Sequence, residues 1–217
     1  MNKTLAVLRG LWIFLAFAIA LVSMQYFFFA PGEGGFADQS EVYAARPEAL
    51  WLHVGPAILA LAVGPFQLSK KLRRRRPAVH RTLGWIYVVA VVAGSIGGFA
   101  LASTAFGGAV STWGFRGLAV TWLVTTVAAV AFAVRNNFVA HRRWMIRSFA
   151  VTSSAITLRL LLPFAPMMGY EFVDGYRIAA WACWLVNLVA VEIYLARRPR
   201  MSAGEWKREP VPVPAAA

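Results

Sequence analysis

The chain has 217 residues, of which 59% are hydrophobic and only 14% are charged, and its mean hydropathy is +0.60. A soluble protein carries about 25% charged residues, so this composition leaves more apolar surface than a protein in water can cover. These values exclude a soluble catalytic domain, and the formal net charge of +13 has to be explained within a membrane protein.

Six apolar stretches approach or exceed the roughly 20 residues that a helix needs to cross the hydrocarbon core of a bilayer. They cover about residues 5–30, 50–68, 83–103, 115–134, 144–164 and 176–196. The sequence therefore predicts an all-α fold, a polytopic transmembrane helical bundle of six spans within residues 1–198. The first stretch is longer than the roughly 7–15 residues of a signal-peptide core, so we expect it to stay in the mature protein. The proline-rich tail, residues 199–217, is predicted to be disordered and cytoplasmic.

Lysine and arginine gather at the ends of these stretches, a pattern that indicates membrane topology. Seven basic residues lie between Lys70 and Arg81, and the connection from the fourth to the fifth stretch holds Arg135, Arg142 and Arg143. Because short basic loops stay in the cytoplasm, both termini are predicted to be cytoplasmic. The expected partner of these charges is membrane lipid, and no nucleic acid is expected.

The three histidines fall at two depths of the predicted bundle. His53 lies near the outer end of the second stretch, whereas His80 and His141 lie at the cytoplasmic entrances of the third and fifth. At 1.5 Å per residue, His53 is about 20 Å or more from the other two, so the three cannot share one metal ion. A lesser alternative pairs His53 with the thioether of Met24, Met167 or Met168 in a haem or copper site.

Each histidine of the cytoplasmic pair is followed by arginine. A neutral imidazole can ligate haem iron while a guanidinium pairs with a propionate. The sequence thus favours a haem b held by His80 and His141, with Arg81 and Arg142 on its propionates. The alternative is that both pairs anchor helix ends at lipid headgroups.

One face of the fifth stretch carries several of its polar residues. Steps of three and four residues place on it His141, Met145, Ser148, Thr152, Ala155 and Arg159. A charge within a span usually faces the bundle, so Arg159 is predicted to point inward and to bind an anionic ligand or an outer-loop acid such as Glu171. Its alternative is an arginine that snorkels to the outer headgroups. Arg147 is expected to form a structural ion pair with Glu192, because both lie at the same depth.

Glycines also follow helical spacing in the second and third stretches. Gly94 and Gly98 form a GxxxG pattern that favours close helix packing, and the alternative is a slot for a flat cofactor. No nucleotide-binding turn, zinc-protease motif or nucleophile elbow is present in the sequence.

Four blocks of the central chain resemble a bacterial family of predicted multi-pass membrane proteins whose function is unassigned. They are Gly64-Pro65-Phe66-Gln67, His80-Arg81-x-x-Gly84-x-x-Tyr87, His141 to Ser148, and Arg159-Leu160 near Pro163. The resemblance covers about residues 50–166 and implies the bacterial cytoplasmic (inner) membrane.

A more distant likeness is to four-helix b-type haem membrane cytochromes. The chain departs from these because three histidines cannot supply two bis-histidine haems. Two functions follow: electron transfer through haem b, with a quinone or small reductant as partner, or a non-enzymatic accessory subunit of a membrane complex or small-solute carrier.

Overall fold

A computed structural model describes residues 3–29 and 43–197, and within these ranges the regular structure is helical, with no strand. Six helical segments are long and apolar enough to cross a membrane, which confirms the predicted six-span bundle. The tail predicted to be disordered lies outside the described residues.

The second to sixth spans begin before the predicted apolar stretches, whereas the first lies within the predicted stretch of residues 5–30. The spans, numbered first to sixth in chain order, are Val7–Phe27, Pro47–Gln67, Pro77–Thr104, Ala109–Val134, Phe138–Met167 and Phe172–Ala196. The first and third end in 3-10 turns, Met24–Phe27 and Ala102–Thr104, and a short basic helix, Lys70–Arg75, precedes the third. The fifth is composed of Phe138–Thr152, Ser154–Leu161 and Phe164–Met167.

The third, fourth and fifth spans begin at Pro77, Ala109 and Phe138, six residues before the predicted starts at 83, 115 and 144. Hydropathy detects the part of a helix that crosses hydrocarbon, whereas a helix continues through the headgroup region until a capping residue ends it. Proline suits the first helical position of the third span, and the side chain of Asn137 caps the fifth by accepting the N–H of Ala140 at 3.1 Å. His80 and His141 consequently lie within helices, one turn from their starts.

Among the described helices, the second and third spans pack against each other most extensively. Gly97 lies against the backbone of Leu52 and His53. A Cβ at this position would lie 2.6 Å from the backbone nitrogen of His53. Gly98 lies against the His53 imidazole, while Gly94 lies against the indole of Trp122. The second and third spans therefore pack closely at these glycines, as the GxxxG pattern predicts, and Gly94 and Gly98 also line a cavity. The alternative of a cofactor slot stays a prediction.

The centre of the bundle is a buried cluster contributed by the second to fifth spans. Its members are Ala60, Val63, Tyr87, Ala90, Val91, Trp122, Phe149 and Val151. The first span packs at the edge, against the second span and the Ser154–Leu161 helix of the fifth. The central cluster separates the two ends of the bundle, and each end contains a cavity.

Candidate functional site

Within the described bundle, a cavity lies at each end. The larger, about 970 Å³, is lined by His80 and His141 together and is named here the His80–His141 cavity. The smaller, about 200 Å³, is lined by His53 and Arg159 and is named the His53–Arg159 cavity. The structure therefore brings together the two histidines paired in the sequence analysis and separates them from the third.

The His80–His141 cavity is strongly basic. Its charged lining residues are the four arginines Arg9, Arg73, Arg81 and Arg142. Among the described residues, the lining includes no carboxylate, and neither Arg81 nor Arg142 has one within salt-bridge distance. Much of the remaining wall is apolar, including Leu68, Val88, Val130 and Ile146. Such a cavity suits an amphipathic anion, which buries an apolar body and presents its negative charges to the guanidinium groups.

His141 is oriented by a backbone carbonyl of the fourth span. Its Nδ1 lies 2.8 Å from the oxygen of Ala129. A carbonyl only accepts hydrogen bonds, so Nδ1 carries the proton and the neutral ring presents the lone pair of Nε2. This arrangement is the one that metal-bound histidines usually have, because the second nitrogen donates to a carbonyl or carboxylate.

His80 is oriented by Gln67, at the end of the second span. In the amide orientation that satisfies both groups, the Gln67 nitrogen donates to Nδ1 of His80 at 3.1 Å, and its oxygen accepts the N–H of Gly84 at 3.2 Å. His80 then carries its proton on Nε2, opposite to His141. The same amide nitrogen also donates to the backbone oxygen of His80 at 3.2 Å. The opposite orientation would turn the amide oxygen towards these acceptors and the amide nitrogen towards the Gly84 N–H, so Gln67 holds the proton of His80 on Nε2.

Several residues of this cavity were not predicted from the sequence. Gln67 was named only within a block of the family resemblance and given no role, although an amide inside an apolar span is a usable signal. Arg9 and Trp12 come from the first span, and Trp12 donates to the hydroxyl of Ser153 at 3.1 Å. Nothing local in the sequence indicates that the first span reaches this cavity.

In the His53–Arg159 cavity, the imidazole and the guanidinium come from different spans. Nδ1 of His53 lies 2.7 Å from the oxygen of Gly94, so the neutral ring presents Nε2 as an acceptor. Arg159 points into the bundle, where Nη2 donates to the hydroxyl of Ser23 at 2.9 Å and Nη1 donates to the oxygen of Ala155 at 3.0 Å. The snorkelling alternative is therefore wrong. Glu171 is exposed and forms no ion pair with Arg159.

Three tyrosines that the sequence analysis did not single out complete this cavity. Tyr26, Tyr43 and Tyr176 line it, and the hydroxyls of Tyr26 and Tyr43 lie 3.4 Å apart. Tyr43 precedes the second span, and burial raises its pKa well above the usual value, so its phenol is neutral at pH 7. These hydroxyls are hydrogen-bonding groups beside a cation.

Copper or haem ligation by His53 and a methionine is not supported. Met24, Met167 and Met168 are exposed, and none lines the cavity with His53. The described part of the chain also contains no cluster of three or more histidine, cysteine, aspartate or glutamate side chains that could hold a metal ion. The His/Met site stays a prediction, and none of the three methionines lines the cavity with His53.

A buried hydroxyl network lies between the cavities. The Tyr87 hydroxyl bonds with Ser148 at 2.8 Å and with Thr152 at 2.7 Å. Trp122 donates to Thr152 at 2.8 Å, and Thr126 bonds with Ser148 at 2.6 Å. The polar face predicted on the fifth span thus serves three regions: its first residues line the basic cavity, its middle joins this network, and its end lines the other cavity.

Arg147 and Glu192 form the predicted ion pair. Two guanidinium nitrogens meet the two carboxylate oxygens at 2.5 and 2.8 Å, joining the fifth and sixth spans. Neither residue lines either of the two cavities, so the role of the pair is to hold the fifth and sixth spans together.

Comparison with known proteins identifies a family but no activity. The model of the family described as "Predicted membrane protein (DUF2306)" matches residues 50–195, which extend beyond the predicted resemblance to include the sixth span. No curated protein matches the chain, and no solved structure does. The likeness to four-helix haem cytochromes stays a prediction.

Proposed function

The chain belongs to this family of predicted membrane proteins, and on that premise we propose that it is a redox membrane protein that holds haem b in the His80–His141 cavity. The proposal places it in the bacterial cytoplasmic membrane, with a quinone or small reductant as electron partner. The observation that carries it is one large cavity containing two histidines and four arginines from several spans.

Size and charge both support haem b as the ligand. The volume of about 970 Å³ lies at the upper end of the roughly 300–1,000 Å³ typical of cofactor and ligand pockets. Haem b carries two propionates on an apolar ring, matching a cavity whose charged groups are arginines. A compact inorganic anion would leave the apolar wall unused.

The histidines fit iron unequally. His141 already presents Nε2 and has its Nδ1 proton held by Ala129, so it is the residue that would hold the iron first. His80 would be the weaker ligand of the two, because Gln67 donates to its Nδ1 and the proton on Nε2 would have to leave before that nitrogen could bind iron. Bound haem b supplies a one-electron couple between ferric and ferrous iron, whereas the chain's own groups orient the two imidazoles and neutralise the propionates.

Visible spectroscopy of the full chain, purified after haem-replete expression, tests the proposal. We expect a Soret band with about one haem per chain, and its loss in the double variant His80→Ala/His141→Ala. The His53→Ala variant shows which cavity holds the haem, because His53 lines the other cavity and the Soret band should persist without it. A protein without a Soret band, or a band indifferent to the double change, would leave an accessory subunit or small-solute carrier as the better description.

A change at Gln67 sharpens the same test. Gln67→Glu, when ionised, offers only acceptor oxygens, so Nδ1 of His80 must carry the proton and Nε2 is left for iron. We expect this variant to bind haem at least as well as the unchanged chain and with a lower reduction potential, because the ligand is more basic. Gln67→Leu is its matched control, and an equal potential in both variants would contradict the assignment of His80.

A further inference from the structure

We propose that the His53–Arg159 cavity is a binding site for a small organic carboxylate. This inference does not rest on the proposed haem site, since the cavity lies at the other end of the bundle and shares no lining residue with the His80–His141 cavity.

The positive charge of Arg159 lacks a negatively charged partner among the described residues. A guanidinium has five N–H groups, and Arg159 uses two of them, on Ser23 and Ala155. Its Nε is buried and has no hydrogen-bond partner among the described residues, where no carboxylate comes within salt-bridge distance of the side chain. A cation inside a membrane bundle is costly unless it is paired. A planar carboxylate is the anion that a guanidinium fork binds with two parallel hydrogen bonds.

The groups around Arg159 suit the rest of such a ligand. The neutral hydroxyl of Tyr43 adds a hydrogen-bonding group beside the guanidinium, and Nε2 of His53 adds an acceptor. Most of the remaining lining is apolar, including Leu50, Leu61, Leu118 and Phe115. This combination favours an organic anion over a small inorganic one, whose remaining oxygens would lie against hydrocarbon.

The volume limits the ligand to a small molecule. An apolar cavity of about 150 Å³ is known to hold benzene, so about 200 Å³ holds one six-membered ring with a carboxylate, or a short carboxylic acid. Benzoate is therefore a suitable probe, and benzamide is its neutral isostere. The cavity is too small for a macrocycle or a nucleotide.

Titration calorimetry of the full chain in nanodiscs of neutral lipid tests the site. We expect saturable binding of benzoate and about tenfold or more weaker binding of benzamide, because benzamide lacks the charge that pairs with Arg159. Arg159→Met should reduce benzoate affinity by a similar factor. Arg177→Met is the matched control, since this exposed arginine at the start of the sixth span pairs with Asp174 and does not line the cavity.

Two further measurements keep the result decisive if Arg159→Met fails to fold. Arg159→Lys keeps the charge but loses the planar fork, and Tyr26→Phe removes one lining hydroxyl; both should weaken benzoate more than benzamide. The proposal is overturned if the unchanged chain shows no saturable benzoate binding, if benzamide binds equally well, or if these variants bind as the unchanged chain does.

Discussion

The two cavities are built by the same helices yet differ in charge and size. At the basic end, two histidines and four arginines surround about 970 Å³, whereas at the other end one histidine, one arginine and three tyrosines surround about 200 Å³. In both cavities the histidine Nδ1 is engaged by a neighbouring helix, through Ala129, Gly94 or Gln67. The two cavities therefore differ in the number of cations and in the space beside the imidazole, whereas histidine orientation by a neighbouring helix is common to both.

The first span contributes to both cavities although it precedes residues 50–195 matched by the family. Arg9 and Trp12 line the basic cavity, and Ser23 and Tyr26 line the other. The match therefore covers most of each cavity wall but not the side that this span closes.

The largest expected effect concerns the side of the membrane that each cavity faces. Reporter fusions placed after Arg76 and after Asp38 should show opposite sidedness, with Arg76 cytoplasmic, because translocation of a short loop with seven basic residues is opposed. Signals on the same side would mean that the number of crossings between the two points is even, and the cavities could not be assigned to opposite leaflets by this route.

A smaller effect is expected from Gly97→Ala, which separates the second and third spans beside His53. The new Cβ would meet backbone that cannot move independently, so the free energy of unfolding should fall by about 1–3 kcal/mol. Gly10→Ala is the control, because nothing lies within 4 Å of its Cβ position. Unfolding in mixed micelles measures both, and benzoate binding should suffer more than haem binding. Equal stability of the two variants would contradict the close approach at Gly97.

The smallest effect is expected from Tyr87→Phe, which removes a hydroxyl from the network between the cavities. Its bonds with Ser148 and Thr152 are buried, so the loss should be about 0.5–1.5 kcal/mol in the free energy of unfolding. The exposed Tyr170 provides the control change to phenylalanine. Haem spectra and benzoate affinity should stay unchanged, and a coordinated change in both would show that the network couples the cavities.

The sequence by itself determined the number of spans, the grouping of basic residues, and the common face from His141 to Arg159. These properties are local. Hydropathy and helical periodicity depend on residues a few positions apart, so they can be predicted without knowing which helices are neighbours. The Arg147–Glu192 pair was predictable for a related reason, because a carboxylate and a guanidinium at the same depth have few other partners in a span.

Only the tertiary structure decided which helices are neighbours and therefore which side chains share a cavity. The contact of Gln67 with His80, and of Ser23 with Arg159, joins residues 13 and 136 positions apart in the chain. Such contacts depend on where glycines such as Gly97 let two backbones approach, and on how the first span packs at the edge of the bundle. Periodicity identifies the face of a helix that turns inward, but the lateral order of the helices sets what that face meets.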